Sequence, residues 1–176
     1  MTRLTASPPR SAAPVAPDRL AAVFKAYDIR GLAPEQLDAD LCAAVGAAFA
    51  AFAAEADGAD RVIIARDMRP TGPALVEAFS DVVDVGLGST DMLYFAAGAL
   101  DAPGAMFTAS HNPAAYNGIK LCLSGARPVG EETGLADIRA RAEAGVPPAG
   151  TGTRHEDEVL ARFADHVRSF VHLDGL

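Results

Sequence analysis

The sequence has few cysteines, a deficit of basic residues and no long hydrophobic run. Its two cysteines, Cys42 and Cys122, match no metal-binding spacing, so we expect reduced core thiols in a cytoplasmic protein. Lysine and arginine total 15 against 23 aspartate and glutamate, a formal net charge of -8, which argues against a nucleic-acid binder. No apolar run approaches the roughly 20 residues that span a bilayer, which argues against a membrane protein.

The N-terminus also lacks the uninterrupted apolar segment of a signal peptide. It is rich in proline, alanine and serine, so we predict a disordered leader over residues 1–18. Half of all residues are hydrophobic, enough to build a core. We expect this core within residues 19–146, followed by a linker at 147–155 and a helical segment at 156–176.

Segments with strand and helix patterns alternate along residues 19–146. Apolar runs predict strands at 61–65, 81–86, 104–110 and 119–123, and the stretch 20–31 is expected to be extended. Helices are predicted to begin at Pro34, at Pro73, after an N-cap at Ser89 and near Gly130. Asn117–Gly118 predicts a tight turn. The fold class is therefore α/β, with a mainly parallel mixed sheet flanked by helices.

One predicted crossover is abnormally short. Only eight residues, from Pro73 to Ser80, precede Asp81, and the helix that connects two parallel strands must fit there. A complete crossover normally takes at least about 10–12 residues. We therefore expect this helix to have barely two turns.

Two polar clusters follow predicted strands, "RDMRPTGP" (66–73) and "TASHNP" (108–113). In open α/β sheets ligands bind beyond the carboxyl ends of the strands, so both clusters are expected at one functional edge. On pattern alone Ser110 is either a nucleophile beside His111 or part of a plain turn. The basic side chains near these clusters would suit phosphate; they are Lys25, Arg30, Arg66, Arg69 and Lys120.

The stretches "FKAYDIRG" (24–31) and "TASHNPAAYNGIK" (108–120) resemble the signature motifs of the first domain of the α-D-phosphohexomutases, in the phosphomannomutase/phosphoglucomutase branch. "ARDMRPTGP" (65–73) and "DVGLGSTDMLYFA" (84–96) also resemble that branch. The resemblance extends over about residues 20–171. It implies a phosphohexomutase domain I fold for residues 19–146 and a helix at 156–176 that leads into a second domain.

The resemblance implies an intramolecular phosphotransferase of the isomerase class. Ser110 would carry a phosphoryl group, pass it to a hexose 1- or 6-phosphate of mannose or glucose, and take back the other phosphate of the 1,6-bisphosphate. His111, Lys120 and Arg30 are the further expected catalytic residues, with His111 as an acid or base. The expected phosphate-binding residues are Tyr27, Arg30, Lys120 and Asn112. Asn117 and Gly118 would help to fix the loop.

The same resemblance implies Mg²⁺ as the cofactor, bound by the Ser110 phosphate and by three aspartates. The family has four domains, and its D-G-D-x-D-R metal motif and sugar-selecting loop are absent from this sequence. We therefore expect an N-terminal fragment that is inactive alone. Its expected partners are hexose phosphates, hexose 1,6-bisphosphate and the remaining mutase domains, with no nucleic acid and no membrane.

Two other functions stay open on the sequence alone. The chain could be a non-catalytic module that binds a phosphosugar or a protein partner through an exposed apolar face. A serine hydrolase that uses Ser110 is a weaker alternative, because the sequence has no G-x-S-x-G nucleophile elbow.

Overall fold

The described residues form eight strands and six α-helices. The computed structural model describes residues 2–4, 13–147 and 152–171. The strands are β1 (Thr2–Leu4), β2 (Ile29–Leu32), β3 (Val62–Arg66), β4 (Val82–Leu87), β5 (Gly104–Phe107), β6 (Tyr116–Leu123), β7 (Arg127–Pro128) and β8 (Arg154–Glu156). The helices are α1 (Pro17–Val23), α2 (Ala39–Asp57), α3 (Gly72–Val76), α4 (Thr90–Ala99), α5 (Leu135–Ala144) and α6 (Leu160–Arg168).

The strands form one mixed sheet in the order β1-β8-β4-β3-β5-β6-β2, with β7 paired to β6. Strand β3 is parallel to β4 and β5, and β4 is parallel to β8. Towards the two sides of the sheet the pairings are antiparallel. Strand β1 is antiparallel to β8, and β6 is antiparallel to both β5 and β2. The predicted class is therefore confirmed, with parallel strands at the centre and antiparallel strands at both edges.

Helices cover both faces of the sheet, so the domain has three layers. Alternate residues of β3 point to opposite faces: Ile64 packs among side chains of α2 and α5, and Ile63 packs against α4. Because both faces are covered, β3 is apolar along its length instead of alternating with polar residues. The parallel centre of the sheet is thereby fixed between two apolar layers.

Helix α2 has the length and the apolar composition of a membrane-spanning helix, the one such helix found in the described part of the chain. Half of its most apolar stretch is buried inside the domain. Leu41, Val45 and Phe49 are fully buried on its core side. Packing against the sheet and α5 accounts for this composition.

Two predictions near the N-terminus are wrong. The stretch 20–31 is not extended throughout, because α1 runs to Val23 before β2 begins at Ile29. The next helix does not begin at Pro34. It begins at Ala39, because the Asp38 carboxylate accepts a hydrogen bond from the Leu41 amide at 2.8 Å and caps it.

The predicted leader and linker both contain regular structure. Strand β1 and the start of α1 lie within residues 1–18. Strand β8 takes up the last two residues of 147–155 and the residue that follows. Strand β8 joins the sheet by pairing with β4 and β1, and Arg154 adds a hydrogen bond to the Asp84 carboxylate of β4 at 2.7 Å. Residues 1 and 5–12 of the predicted leader and 148–151 of the predicted linker lie outside the described residues, as do 172–176 of the predicted C-terminal segment. Within the predicted C-terminal helix of 156–176, α6 occupies Leu160–Arg168, whereas Glu156 belongs to β8.

The short crossover is confirmed. Helix α3 has only five residues, and the chain then enters β4 at Val82. Phe79 fills the space beside it, with its ring edge-on to Phe107 at a centroid distance of 5.1 Å. One aromatic contact therefore helps to seal a layer where the sequence offers little helix.

Candidate active-site serine and its phosphate platform

Two loops meet at the carboxyl edge of the central strands. Asp67 follows β3 directly, and the loop 108–115, called the serine loop below, follows β5. Because β3 and β5 are parallel neighbours, both loops leave the sheet on the same side. The Asp67 amide donates to the Phe107 carbonyl at 3.0 Å and continues the pairing to the strand ends. The predicted functional edge is thus formed as the sheet topology requires.

Ser110 is exposed and has an unusual backbone conformation. Its φ is +53°, in the left-handed region, which costs a non-glycine residue about 1–2 kcal/mol. Its amide donates to the Thr108 hydroxyl at 3.0 Å. Its own hydroxyl lies 3.3 Å from Nδ1 of His111, although the two residues are adjacent in sequence. The turned backbone therefore brings a nucleophile and an acid/base group together at an accessible position.

Arg69 holds the serine loop from below. The side chain is buried, and its guanidinium makes five hydrogen bonds within the domain. They go to the Asp67 carboxylate at 3.2 Å and to the carbonyls of Pro113 at 2.8 Å, Tyr116 at 2.7 Å, Ser110 at 2.9 Å and Asn112 at 2.8 Å. A guanidinium has five N–H donors, so none is left for a ligand. The expectation that Arg69 could bind phosphate is wrong.

The carboxylate of Asp67 connects this clamp to the serine. It pairs with Arg69 and accepts a hydrogen bond from the Thr108 hydroxyl at 2.7 Å. The same hydroxyl accepts the Ser110 amide. Ser110 is therefore held at its N–H through Thr108 and at its carbonyl through Arg69.

Two cations stand beside the loop and share one carboxylate. Arg30 forms an ion pair with the buried Asp28, and Nζ of Lys120 lies 3.7 Å from the same carboxylate. Arg30 also donates to the Asn112 side chain of the serine loop at 3.3 Å. Its Nε is buried without a hydrogen-bond partner in the described structure. Two positive charges against one negative charge leave a net positive group, which suits an anion such as phosphate.

The strand pairing sets the positions of these cations. Strand β6 lies between β5 and β2, and Arg30 of β2 is paired with Gly118 of β6. A side chain at Gly118 would place its Cβ 2.4 Å from the Ile29 carbonyl and 2.7 Å from the Thr108 carbonyl. Only glycine fits, so Asn117–Gly118 marks a close strand contact. The predicted turn there is wrong, since both residues lie within β6.

Comparison with known proteins assigns the family. The sequence model of the family described as "Phosphoglucomutase/phosphomannomutase, alpha/beta/alpha domain I" matches residues 21–146. The chain belongs to this family. A phosphomannomutase of Escherichia coli is 37% identical over 163 residues, which are 85% of this chain and 35% of that protein. A phosphomannomutase sequence of Klebsiella pneumoniae is 37% identical over 155 residues, 81% of this chain and 96% of its own length.

A solved structure supports the same assignment. The phosphoglucomutase/phosphomannomutase family protein of Burkholderia thailandensis superposes with a TM-score of 0.76 at 33% identity, covering 87% of this chain and 36% of that one. The chain therefore spans about a third of the length of most of these relatives. The serine loop and both cations lie within the matched domain.

The residues present do not form a magnesium site by themselves. The described part of the chain has no group of three or more His, Cys, Asp or Glu that could hold a metal ion. The two carboxylates nearest the serine loop are already engaged, Asp28 by Arg30 and Lys120 and Asp67 by Arg69 and Thr108. Neither of these two carboxylates is therefore free for a cation that prefers six oxygen ligands.

Lys25, Arg66 and Tyr27 were predicted near the phosphate but take no part in the described contacts of the serine loop and its two cations. Tyr27 is 80% exposed and makes no hydrogen bond within the described ranges. Lys25 donates to the Ala22 carbonyl at 2.6 Å, at the end of α1. Arg66 is half-buried beside Gly72 and forms no ion pair among the described residues. The structure thus connects Arg30, Lys120 and Asn112, and separately Ser110 with His111.

A polar groove of about 620 Å³ lies at the opposite edge of the sheet. Its lining includes Asp57, Asp60, Arg61, Asp101 and Arg127. None of the predicted site residues lines it. The groove is therefore separate from the predicted site, whose serine loop lies at the carboxyl edge of the central strands.

Three residues of the site were missed from the sequence, namely Asp28, Asp67 and Thr108. Each lies next to a residue that was singled out or inside a quoted motif. Asp28 and Thr108 are buried polar side chains, and such groups are normally hydrogen-bonded. For the two aspartates the sequence does carry a signal, since each stands two positions before the arginine with which it pairs, Arg30 or Arg69. Thr108 is marked only by its place in the quoted motif.

Proposed function

We propose that this chain is the phosphoserine domain of a phosphohexomutase that interconverts hexose 1-phosphate and hexose 6-phosphate. The observation that carries the proposal is the exposed Ser110, turned into the left-handed conformation 3.3 Å from a histidine nitrogen. Membership of the phosphoglucomutase/phosphomannomutase family supports it. The sugars would be mannose and glucose phosphates, as the names of the relatives suggest.

The transfer would proceed at the Ser110 hydroxyl. Its Oγ forms a bond to phosphorus as the bond between phosphorus and a sugar oxygen of the 1,6-bisphosphate breaks. The serine proton passes to a base, for which His111 Nδ1 is the candidate at hand, and the sugar oxygen takes up a proton. In the reverse direction, phosphoserine donates to a hexose monophosphate. Positioning and charge neutralisation supply most of the catalysis in such reactions.

The two cations would neutralise the phosphoryl group. Arg30 already donates to Asn112 in the serine loop, and Lys120 shares the Asp28 carboxylate with it. A phosphate brought to this edge would compete with Asp28 for both side chains. We therefore assign phosphate binding to Arg30, Lys120 and Asn112, and keep Tyr27 as a predicted contributor.

The complete reaction would need parts beyond this chain. Because the chain spans about a third of the length of most relatives, we expect little or no mutase turnover from it alone. Any Mg²⁺ would take its remaining ligands from a segment that this chain does not contain. The two free cysteines and the net charge of -8 support a cytoplasmic protein that acts on small phosphates and binds neither membrane nor nucleic acid.

The test is phosphorylation of Ser110. The chain is incubated with glucose or mannose 1,6-bisphosphate and Mg²⁺, and its intact mass and peptide map are recorded. We expect one phosphoryl group on Ser110, none on the Ser110→Ala variant, and normal uptake by Ser169→Ala, which removes an exposed hydroxyl of the last helical turn. Absence of phosphate on the wild-type serine would contradict the proposal, and sustained turnover would contradict the expected inactivity.

A second candidate is a partner-binding module. Helix α6 and the residues after it expose Leu160, Val167, Phe170 and Val171. Exposed apolar patches of this kind are typical of interaction surfaces. Concentration-dependent self-association, measured by sedimentation together with an unmodified Ser110, would favour this function over the mutase domain.

A further inference from the structure

The serine loop carries a strained residue at its reactive position. Ser110 is the residue that needs a defined orientation, yet it is exposed and adopts a backbone conformation that non-glycine residues rarely hold. Such a conformation persists only where neighbouring groups fix it. Here the neighbouring groups are the side chains of Thr108, Arg69 and Asp67.

Both backbone polar groups of Ser110 are tied to the loop that follows β3. The Ser110 amide donates to Thr108 Oγ1 at 3.0 Å, and that hydroxyl donates to Asp67 at 2.7 Å. The Ser110 carbonyl accepts a hydrogen bond from Arg69 at 2.9 Å. Arg69 and Asp67 are themselves paired. The arrangement is a closed ring of hydrogen bonds around the serine backbone.

Two side chains of this ring are protected from solvent. Thr108 and Arg69 are 7% and 8% exposed. Thr108 uses its single hydroxyl both as donor and as acceptor, so no other group in the ring can replace it. A valine at this position would keep the shape and remove both bonds. The hydroxyl of Thr108 is therefore the sensitive link.

We propose that Thr108, Asp67 and Arg69 are positioning residues that hold Ser110 in its left-handed conformation for phosphoryl transfer. The inference rests on the proposed function, since it assigns these residues a part in that reaction. Thr108 and Arg69 bond to the serine backbone, Asp67 bonds to both of them, and none of the three bonds to the reacting oxygen. Their loss slows transfer because Ser110 samples other orientations, while sugar binding is untouched.

The test compares Thr108→Val with Thr108→Ser, which retains the hydroxyl. Two quantities are measured: hydrogen exchange of the Ser110 amide by NMR, and the rate of phosphoryl uptake from hexose 1,6-bisphosphate as a function of its concentration. We expect Thr108→Val to exchange at least tenfold faster and to take up phosphate at least tenfold more slowly at saturation, with KM unchanged. Thr108→Ser should remain near the wild type in both.

Thr153→Val is the matched control. Its hydroxyl also donates to a carboxylate, that of Asp81 at 3.1 Å, but it lies beside β8, away from the serine loop. It loses the same kind of bond, so a general loss of stability would appear in it too, without a change at Ser110. If Thr108→Val does not fold, Asp67→Asn replaces it and is expected to show the same two changes.

The outcomes separate this inference from the proposed function. A folded Thr108→Val variant with wild-type exchange and wild-type uptake overturns the inference and leaves the proposed function intact. If wild-type Ser110 takes up no phosphate, the proposed function fails. The exchange measurement then decides whether the ring holds Ser110: unchanged exchange in Thr108→Val overturns the inference, and faster exchange supports it.

Discussion

At the scale of single residues, the position of the serine loop and its cations depends on how closely the strands β5, β6 and β2 approach one another. Gly118 lies in β6 between the backbones of β5 and β2, and the cation Arg30 is its partner across the strand pair. The carbonyls of Ile29 and Thr108 occupy the space that a side chain would need. The same position thus supports both the sheet and the serine loop.

Replacement of Gly118 by alanine is expected to be strongly destabilising. The new Cβ would meet two backbone oxygens at 2.4 and 2.7 Å, and backbone cannot move aside as a flexible side chain can. We expect a loss of at least about 2 kcal/mol in the free energy of unfolding, measured by urea denaturation.

Gly98→Ala is the control for this prediction. Gly98 lies in α4, and nothing is within 4 Å of its added Cβ. Because alanine favours a helix, this variant should be more stable than the wild type by about 0.5–1 kcal/mol. Equal stability of the two variants would contradict the packing argument for Gly118.

Sequence patterns singled out the candidate site residues but not the residues that support them. A motif quoted from the sequence contains each of Ser110, His111, Arg30 and Lys120. The first two follow β5, whereas the two cations lie within β2 and β6. Arg69 looked like a further phosphate ligand, because a pattern does not show that a guanidinium is buried under backbone carbonyls. Roles of this kind depend on contacts between distant segments, here 41 to 47 positions apart.

At the scale of elements, the helix boundaries are set by caps. Ser89 was predicted as the N-cap of α4, and its hydroxyl accepts the Met92 amide at 3.2 Å. Ser89→Ala leaves that amide without its partner, so we expect a loss of about 1 kcal/mol in the free energy of unfolding. Ser89→Asp keeps an acceptor at the helix start and should stay near the wild type. Thermal and urea denaturation of the three proteins check the prediction, and equal loss in both variants would contradict it.

Where two residues could each begin a helix, the sequence alone placed the start of α2 at the wrong one. Pro34 and Asp38 are both good helix starters, and apolar periodicity did not separate them. The structure begins α2 after Asp38, because this carboxylate is the one that meets a free helix amide. Likewise, Asn-Gly commonly forms a turn, but at 117–118 the demand for a small residue between strands prevails. Long periodic elements such as α2 and β3 were recognisable because their burial repeats along the sequence.

At the scale of the whole molecule, stability should depend on pH through a thiol in the core. Cys122 packs between the sheet and α4, fully buried. Burial raises the pKa of the Cys122 thiol to about 11 from its ordinary value of 9.0. In the folded protein the thiol therefore stays protonated between pH 9 and 11, whereas in the unfolded chain it ionises. The folded state binds more protons in this window, so rising pH favours unfolding.

The contribution of Cys122 is isolated by comparison with Cys122→Ala. Cys42 is present in both proteins, and burial raises its pKa equally in both, so its effect cancels in the difference. The wild type is expected to lose about 1.4 kcal/mol more stability than Cys122→Ala between pH 7 and pH 10, since one pKa unit corresponds to about 1.4 kcal/mol. Urea denaturation at the two pH values gives the difference directly. A stability difference between the two proteins that is the same at pH 7 and pH 10 would show that the Cys122 thiol ionises as easily in the folded core as in the unfolded chain, and that the apolar layer over the sheet admits water at this position.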